Sequence, residues 1–348
     1  MKQAVKKGSA LAVFWCVVLC FAVASCPRSQ REEGETLLSF TAAGEMRPRA
    51  GTTLLYEEGE DVFKNVKSLF NERDLVLADL AGALEFGCQP LARDEVYRWK
   101  AEWLDRLAAS NIRVINLADD HAADCGREAL QKSSEFLMAE GFYYLGAGTT
   151  QKEAQTPVYI TEKGITVSLL SFLLESPPGL DPCKECTGPS MYDRQALIKG
   201  LGEMKERSDF QIVIFHFEEK ALPGLSNKEV LMTRQAIDFG ADLVLGYGAR
   251  SAGGLYRVRG KWAVTGMGMF TGMPVKKADK AADGILLCAE FRKSSISNLR
   301  VLPVSLKAGR PLPLRGESGR GVLERLVNRS GPEVGANSKI IGDILYLK

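Results

Sequence analysis

Short apolar segments alternate with amphipathic segments along most of this chain, and this alternation constrains the fold more than any other feature. Apolar residues recur at helical spacing between the apolar runs, as at Val62, Phe63, Val66, Leu69 and Phe70. The pattern predicts an α/β domain built of packed layers. The candidate strands are 37–42, 74–80, 112–118, 166–173, 211–217, 242–245, 262–265 and 284–291.

Helices are predicted between several of these strands. Trp103, Leu104 and Leu107 suggest one short helix, and residues 126–140 carry an apolar face typical of a longer one. Ser226 is followed three residues later by Glu229, the spacing of a capping box, so a helix is expected to begin there and to end near Gly240.

Composition excludes several classes of protein. The 348 residues are 45% hydrophobic and 25% charged, which rules out a disordered chain, a collagen-like repeat and a small disulfide scaffold. The formal net charge is only +2, whereas a protein that binds nucleic acid through phosphate contacts usually carries a clear basic excess. No nucleic-acid partner is therefore expected.

The N-terminal residues have the three parts of a secretory signal. Lys2, Lys6 and Lys7 precede an uncharged run over 10–24, and Ala24 and Ser25 are small residues before Cys26. The sequence 23–26 resembles a bacterial lipobox, which implies cleavage before Cys26 and lipidation of that cysteine. The alternative is an ordinary signal peptide cleaved nearby, with Cys26 incidental.

Four segments follow from this interpretation: a signal peptide (1–25), a lipidated tether (26–36), the main domain (37–305) and a C-terminal extension packed on it (306–348). Cleavage would remove three lysines and no acids, which changes the formal charge from +2 to −1. Acyl chains, not a basic surface, would then hold the exported protein at the cell membrane or outer membrane of a bacterium.

Export also changes how the cysteines are interpreted. Of eight cysteines, five lie beyond Cys26, so at least one of these lacks a partner among the five. Cys183 and Cys186 stand in a Pro- and Gly-rich stretch, and a loop-closing disulfide between them is expected. A zinc ribbon would need a second such pair, and a redox-active pair has no thioredoxin-like context. The pairing of Cys88, Cys125 and Cys288 stays open.

Polar residues follow the strands at the points where these end. Glu45 and Arg47 come after the first strand, and Asp79 lies at the end of the second. Residues 119–121 (Asp-Asp-His) follow the third strand, and His216 lies near the end of a later one. Ligand sites in open α/β sheets form beyond the carboxyl ends of strands. Carboxylates and imidazoles gathered there favour a hard divalent cation.

Five of these segments, taken in order, resemble the CapA family, the poly-γ-glutamate capsule synthesis proteins. The matching segments are Asp74–Leu84, Asn116–Gly126, Gly146–Gly148, Gly240–Gly246 and Gly266–Phe270. The resemblance extends over residues 37–305. It implies a four-layer α/β/β/α sandwich of the metallophosphoesterase type.

The chain departs from the family pattern at its ligand positions. Glu45 stands in place of an aspartate, and Asp79 begins a segment that lacks the family's glutamate. Acids replace amides at Asp119 and Asp120. The family's histidine-rich loop is replaced by Gly246–Arg250, which contains no histidine, and Met269 stands where the family has asparagine.

The resemblance nevertheless implies a site. A centre with two cations about 4 Å apart needs roughly six or more ligands, and this chain has only two histidines. We therefore expect at most one divalent cation (Mn, Mg or Ca), held by Glu45, Asp79, Asp120 and His216. His121 would act as an acid, and Arg47, Asp119 and Arg250 would contact an anionic substrate. Structural alternatives remain open: the acids as turn or helix caps, His216 as a core residue and Arg250 as a solvated charge.

These features predict a lipid-anchored protein of the bacterial envelope. The resemblance implies that it handles capsule or another anionic polymer, or a phosphate- or carboxylate-bearing ligand. The substituted ligands favour binding or scaffolding, with weak or no hydrolysis. A working single-metal hydrolase and a surface interaction lipoprotein with a protein partner in the envelope are the alternatives.

Overall fold

A computed structural model describes residues 36–181, 183–220, 226–272 and 283–348. Cys26, the predicted signal peptide and nearly all of the predicted tether lie outside these described residues. Within the described ranges, no helix combines the length and the apolar character needed to cross a membrane.

The described residues form strands throughout the chain. In order, these are β1 (Leu38–Met46), β2 (Leu75–Leu80), β3 (Ala83–Leu84), β4 (Arg98–Trp99), β5 (Val114–Asn116), β6 (Tyr143–Leu145), β7 (Ala147–Gly148), β8 (Val158–Glu162), β9 (Ile165–Leu173), β10 (Gly188–Pro189), β11 (Phe210–Lys220), β12 (Leu243–Ala249), β13 (Leu255–Val258), β14 (Lys261–Val264), β15 (Met269–Thr271), β16 (Asp283–Arg292), β17 (Ser295–Lys307), β18 (Arg310–Pro313), β19 (Ser338–Ile341) and β20 (Ile344–Leu347).

Helices connect many of these strands. In order, they are α1 (Ala50–Glu57), α2 (Lys67–Asn71), α3 (Leu104–Ala109), preceded by a 3₁₀ turn over Ala101–Trp103, α4 (Arg127–Ala139), α5 (Gln151–Ala154), α6 (Arg194–Arg207), α7 (Asn227–Phe239), α8 (Gly316–Asn328) and α9 (Pro332–Ala336). The capping box predicted at Ser226 and Glu229 is present, and α7 ends at Gly240 as expected.

Two large sheets organise the domain. The first sheet has the strand order β19-β20-β17-β16-β1-β2-β5-β6, with β15 paired to β1 and β18 paired to β17. The second sheet has the order β13-β14-β12-β11-β9-β8. Strands β1, β2, β5 and β6 are mutually parallel, as are β9, β11, β12 and β14. Their carboxyl ends therefore gather at one edge of each sheet.

The two sheets stack face to face. In β2, Leu77 packs between the sheets while Val76 faces the helices outside the first sheet. In β11, Ile212 packs between the sheets while Val213 faces α6 and α7 outside the second sheet. Side chains alternate between faces with period two, so each sheet buries both surfaces. This α/β/β/α arrangement confirms the predicted four-layer sandwich.

Two predicted segments differ in detail from the structure. The apolar face over 62–70 is buried as expected, but only Lys67–Asn71 is helical, and the residues before it form hydrogen-bonded turns. The predicted boundary between 305 and 306 falls inside β17. Beyond it, β20 pairs with β17, and Leu323 and Leu326 of α8 pack between the two sheets.

Candidate metal centre

The carboxyl ends of β1, β2 and β5 place three polar residues side by side. Glu45 is the register partner of Asp79, and Asp79 is the register partner of Asn116. Glu45 sits at a bulge where β1 approaches the segment before β15: a Cβ added to Gly44 would lie 2.2 Å from the carbonyl oxygen of Gly268. Only glycine permits this approach, which turns the Glu45 side chain into the site.

His216 of the second sheet lies at the centre of these acids. Its Nδ1 is 3.2 Å from Oδ2 of Asp79 and 3.3 Å from Oδ2 of Asp119. Its Nε2 is 3.2 Å from Oδ1 of Asp120. The side chains of Asp79, Asp119 and His216 are at most 1% exposed, while that of Asp120 is 23% exposed. Asp120 therefore forms the solvent-facing side of the cluster.

Neighbouring groups hold these ligands in place. The Asn116 side chain donates a hydrogen bond to Asp79, and the backbone N–H of His121 donates to Oδ1 of Asp119 at 2.7 Å. Tyr247, in the loop where the family has histidines, donates through its hydroxyl to the carbonyl of Ala43 at 3.0 Å. Burial raises the pKa of Tyr247 well above its usual value, and Asp79 raises it further, so the phenol remains a donor.

The cluster has the properties of a cation site. One ligand atom from each of Glu45, Asp119 and His216 lies within 4.8 Å of the others. Among the described residues, Oε2 of Glu45 is buried without a hydrogen-bond partner. Oδ2 of Asp119 and Oδ1 of Asp120 lie at ion-pair distance from the His216 ring but form no well-directed hydrogen bond with it. Leaving such atoms unpaired is costly, and a divalent cation bound by oxygens and an imidazole would satisfy them. The residues present therefore fit a metal.

Proton affinities in the cluster support the same conclusion. Burial raises the pKa of Asp119 well above its usual value, and the nearby carboxylates raise it further. Burial alone would lower the pKa of His216, but Asp119, Asp120 and Asp79 outweigh it and raise that pKa well above its usual value. Without a cation, Asp119 and His216 thus both favour their protonated forms. A bound cation would release these protons.

His121 lies beside this cluster and pairs with Asp124. Its Nδ1 is 2.7 Å from Oδ2 of Asp124, and its ring stacks on Tyr97 with centroids 4.0 Å apart. Nη2 of Arg93 lies 3.2 Å from Nε2 of His121. Because arginine only donates hydrogen bonds, Nε2 accepts one here, and the imidazole proton resides on Nδ1 and faces Asp124.

Two disulfide-bonded segments border the mouth of the site. Cys88 and Cys125 are joined, which ties the loop that carries Arg93 to the residue after Asp124. Cys183 and Cys186 are also joined. Pro178, on that second loop, helps to line a cleft of about 430 Å³ together with Arg93, Asp94, Glu95 and His121. The cleft gives His121 access to solvent.

The residues predicted to bind substrate occupy different surroundings. Asp119 is fully buried within the metal cluster. Arg47 is also fully buried and donates from Nε to Glu45. Arg250 follows β12, is half-buried, and accepts a backbone hydrogen bond from Met269. A substrate contact by any of the three remains a prediction.

Several residues of the site escaped the sequence analysis. Asn116 and Asp124 lie in the segment that resembles the family, and the spacing of Asp124 three residues after His121 was an available signal. Arg93 and Tyr97 gave none, because a loop path alone brings them to the site. Tyr247 lies in β12, where it is the register partner of His216.

Comparisons with known proteins match this chain to a family. A family model described as bacterial capsule synthesis protein PGA_cap matches residues 34–272, well over half of the chain. The chain is 21% identical over 326 residues to the PGA biosynthesis protein CapA of Bacillus subtilis (strain 168), a match covering 91% of this chain and 85% of that protein. It is 22% identical over 219 residues to the capsule biosynthesis protein CapA of Bacillus anthracis, covering 62% of this chain but only 53% of that protein.

Solved structures with a similar fold are more distant. A phosphatase from Mycoplasma pneumoniae aligns with a TM-score of 0.46 and 12% identity. That alignment covers 78% of this chain and 94% of the phosphatase chain.

Proposed function

This chain belongs to the bacterial capsule synthesis protein family described as PGA_cap, and on that premise we propose that it is a hydrolase that uses one divalent cation and acts on an anionic polymer of the bacterial envelope. The observation that carries the proposal is the position of Asp120. Its Oδ1 lies 3.2 Å from Nε2 of His216, and its Oδ2 lies 3.7 Å from Nε2 of His121. One carboxylate thus separates the cation site from the proton-transfer group.

Each residue has a role in this proposal. Glu45, Asp119 and His216 hold the cation, with Asp79 and Asp120 as further oxygen ligands. A divalent cation bound there would polarise a phosphoryl or carbonyl oxygen of the substrate.

Proton transfer falls to His121. Asp124 fixes its ring with Nδ1–H directed inward, so that Nε2 faces the cleft, where it would accept a proton from the attacking water and then donate that proton to the leaving group. The planar guanidinium of Arg93 suits a carboxylate or phosphate of the substrate. An anionic substrate would draw Arg93 away from Nε2 of His121 and free that atom for proton transfer.

The proposed substrate class and location rest on the relatives and on the N-terminal sequence. The relatives from Bacillus are named for PGA and capsule biosynthesis, which favours an anionic polymer similar to poly-γ-glutamate. The signal-like N-terminus supports export and a lipid anchor on Cys26. The lipid would place the catalytic domain at a membrane surface of the envelope.

Purified full-length protein in detergent would test this function. With Mn²⁺ added, we expect release of phosphate or p-nitrophenol from simple phosphate esters, or shortening of poly-γ-glutamate. The His121→Ala variant should lose this activity. Asp94→Asn, which alters an exposed acid of the same cleft, is the matched control and should retain it. Activity that survives in His121→Ala would refute the proposed role of His121.

A second candidate function is polymer binding without turnover. It is favoured by the limited access of solvent to the cluster. The Asp120 side chain is 23% exposed and the neighbouring Arg93 side chain 10%, whereas the His216 side chain is only 1% exposed. Binding of poly-γ-glutamate with no hydrolysis in the presence of Mn²⁺, Mg²⁺ or Ca²⁺ would select this candidate.

A further inference from the structure

Arg47 is an unusual neighbour for a metal ligand. It follows Glu45 by two residues, its side chain is fully buried, and its Nε donates to Oε1 of Glu45. The other oxygen of Glu45, Oε2, is buried and has no hydrogen-bond partner among the described residues. Glu45 therefore gives one oxygen to a guanidinium and has one left for a cation.

Surrounding groups fix Arg47 in this position. Its guanidinium carbon lies 5.6 Å from the centre of the Tyr97 ring, a cation–π contact. Its carbonyl oxygen accepts hydrogen bonds from the hydroxyl of Thr271 at 3.3 Å and from the N–H of Arg49 at 3.0 Å. A Cβ added to Gly272 would lie 3.3 Å from Cβ of Arg47, so the backbone on both sides is tightly packed. The charge cannot withdraw to solvent without breaking these contacts.

Arg47 offsets part of the negative charge of the acidic side chains around it. Glu45, Asp79, Asp119 and Asp120 are four acids at one buried site. A single divalent cation offsets two of these charges, and the guanidinium of Arg47 offsets a third.

The number of available ligand atoms also favours a single divalent cation. A pair of divalent cations needs roughly six or more protein ligands. Here one oxygen of Glu45 is taken by Arg47, and Tyr247 donates to a backbone carbonyl instead of offering a nitrogen. While Arg47 occupies that oxygen, too few ligand atoms remain for two cations.

We propose that the guanidinium of Arg47 is the second cation of this centre, so that the chain binds one divalent cation where a two-cation centre would bind a pair. The inference rests on the proposed function, because it assumes that the cluster binds metal. It predicts that Arg47 excludes a second divalent cation, both by its charge and by occupying one oxygen of Glu45.

Titration of the metal-free protein with Mn²⁺ tests this proposal. The variants are Arg47→Gln, which removes the charge, and Arg47→Lys, which keeps it. By calorimetry and elemental analysis, we expect one Mn²⁺ per chain in the wild type and in Arg47→Lys. Arg47→Gln should bind its first Mn²⁺ about tenfold more tightly and should accept a second, since a nearby positive charge has been removed. The electron paramagnetic resonance spectrum should show isolated Mn²⁺ in the wild type and a coupled pair in Arg47→Gln.

Each outcome distinguishes the inference from the function on which it rests. Two Mn²⁺ per wild-type chain would overturn the inference and leave the proposed function intact. So would a folded Arg47→Gln protein whose stoichiometry and affinity are unchanged or weaker. No Mn²⁺ bound by any of the proteins would refute the proposed function itself. If circular dichroism shows that Arg47→Gln is unfolded, the wild-type stoichiometry and spectrum decide the question alone.

Discussion

His121 and Asp124 form a hydrogen-bonded pair beside the metal cluster, with Nδ1 of the imidazole 2.7 Å from Oδ2 of the carboxylate. Both side chains are at most 3% exposed, so the bond between Nδ1 and Oδ2 is shielded from water, while Nε2 of His121 lies on the side of the cleft. The carboxylate also accepts a hydrogen bond from the backbone N–H of Tyr97 at 2.7 Å. This second bond fixes Asp124 and thereby the orientation of the imidazole ring.

Asp124→Asn should lower hydrolytic activity strongly while leaving metal binding unchanged. The amide can still accept the bond from Tyr97, but it no longer stabilises the His121 imidazolium that forms during proton transfer. We expect kcat to fall by about 100-fold or more, with KM changed little. Steady-state kinetics at constant Mn²⁺ would measure this. An equal loss in Asp94→Asn would show that the effect is not specific to the pair.

His216→Ala should abolish tight metal binding. Among the described residues, His216 is the nitrogen ligand that contacts Asp79, Asp119 and Asp120, and its removal leaves these acids with no imidazole between them. We expect Mn²⁺ affinity to fall by at least about 100-fold, the upper end of what is lost when a residue that only orients a ligand is removed. His121→Ala is the control, because it alters the neighbouring histidine and should keep the wild-type affinity. Comparable losses in both variants would contradict the assignment of the ligands.

The free energy of unfolding should decrease at acid pH, because Asp74 becomes protonated. Burial alone would raise the pKa of Asp74, but the ion pair with Lys163 and two hydrogen bonds from Ser39 hold it below its usual value. A lowered pKa stabilises the folded state above the unfolded pKa, near 3.9, and that contribution is lost as the pH falls through the folded pKa. Urea unfolding of the wild type and of Asp74→Asn should therefore differ at pH 7 and converge near pH 2. A difference that is constant over this range would exclude the mechanism.

The two disulfides should contribute unequally to stability. Cys88 and Cys125 are 37 residues apart, whereas Cys183 and Cys186 are 3 apart. Loop-closure entropy predicts a loss of about 4 kcal/mol when the first is removed and about 1.5 kcal/mol for the second. Denaturant unfolding of the paired Cys→Ser variants would measure both. A larger loss for the Cys183–Cys186 pair would show that chain entropy does not govern these bonds.

Periodicity predicted the fold well because it reports burial directly. Strand β2 lies buried on both faces, and the apolar run over 74–80 has the composition that such a strand requires. The region before Lys67 was harder to predict. Its apolar residues are spaced as in a helix and are buried, but the backbone that carries them forms turns. The spacing of apolar residues indicates which side chains are buried, and it does not specify the hydrogen bonds of the backbone.

The candidate site could be predicted in part, for a related reason. Parallel strands end at a common edge, so Glu45, Asp79 and His216 were expected to meet from their positions along the chain. The environment of His121 was not predicted. Arg93 reaches it on a loop joined by the bond between Cys88 and Cys125, and nothing in the local sequence indicates that two cysteines so far apart will pair.

The same limit applies to the charges of the site. Arg47 was predicted to contact an anionic substrate, and in the structure its side chain is fully buried and donates to Glu45. A sequence pattern shows which residue types occur at the end of a strand. Which of them turns inward depends on the bulge in β1 and on the close approach of Gly268.

Anomalous X-ray scattering at the manganese edge, from crystals of the protein grown with Mn²⁺, tests the central claim most directly. We expect one strong peak per chain, within bonding distance of Glu45, Asp119 and His216, with Arg47 still hydrogen-bonded to Glu45. Crystals that show no peak among these residues, with His216 still surrounded by the carboxylates, would contradict it.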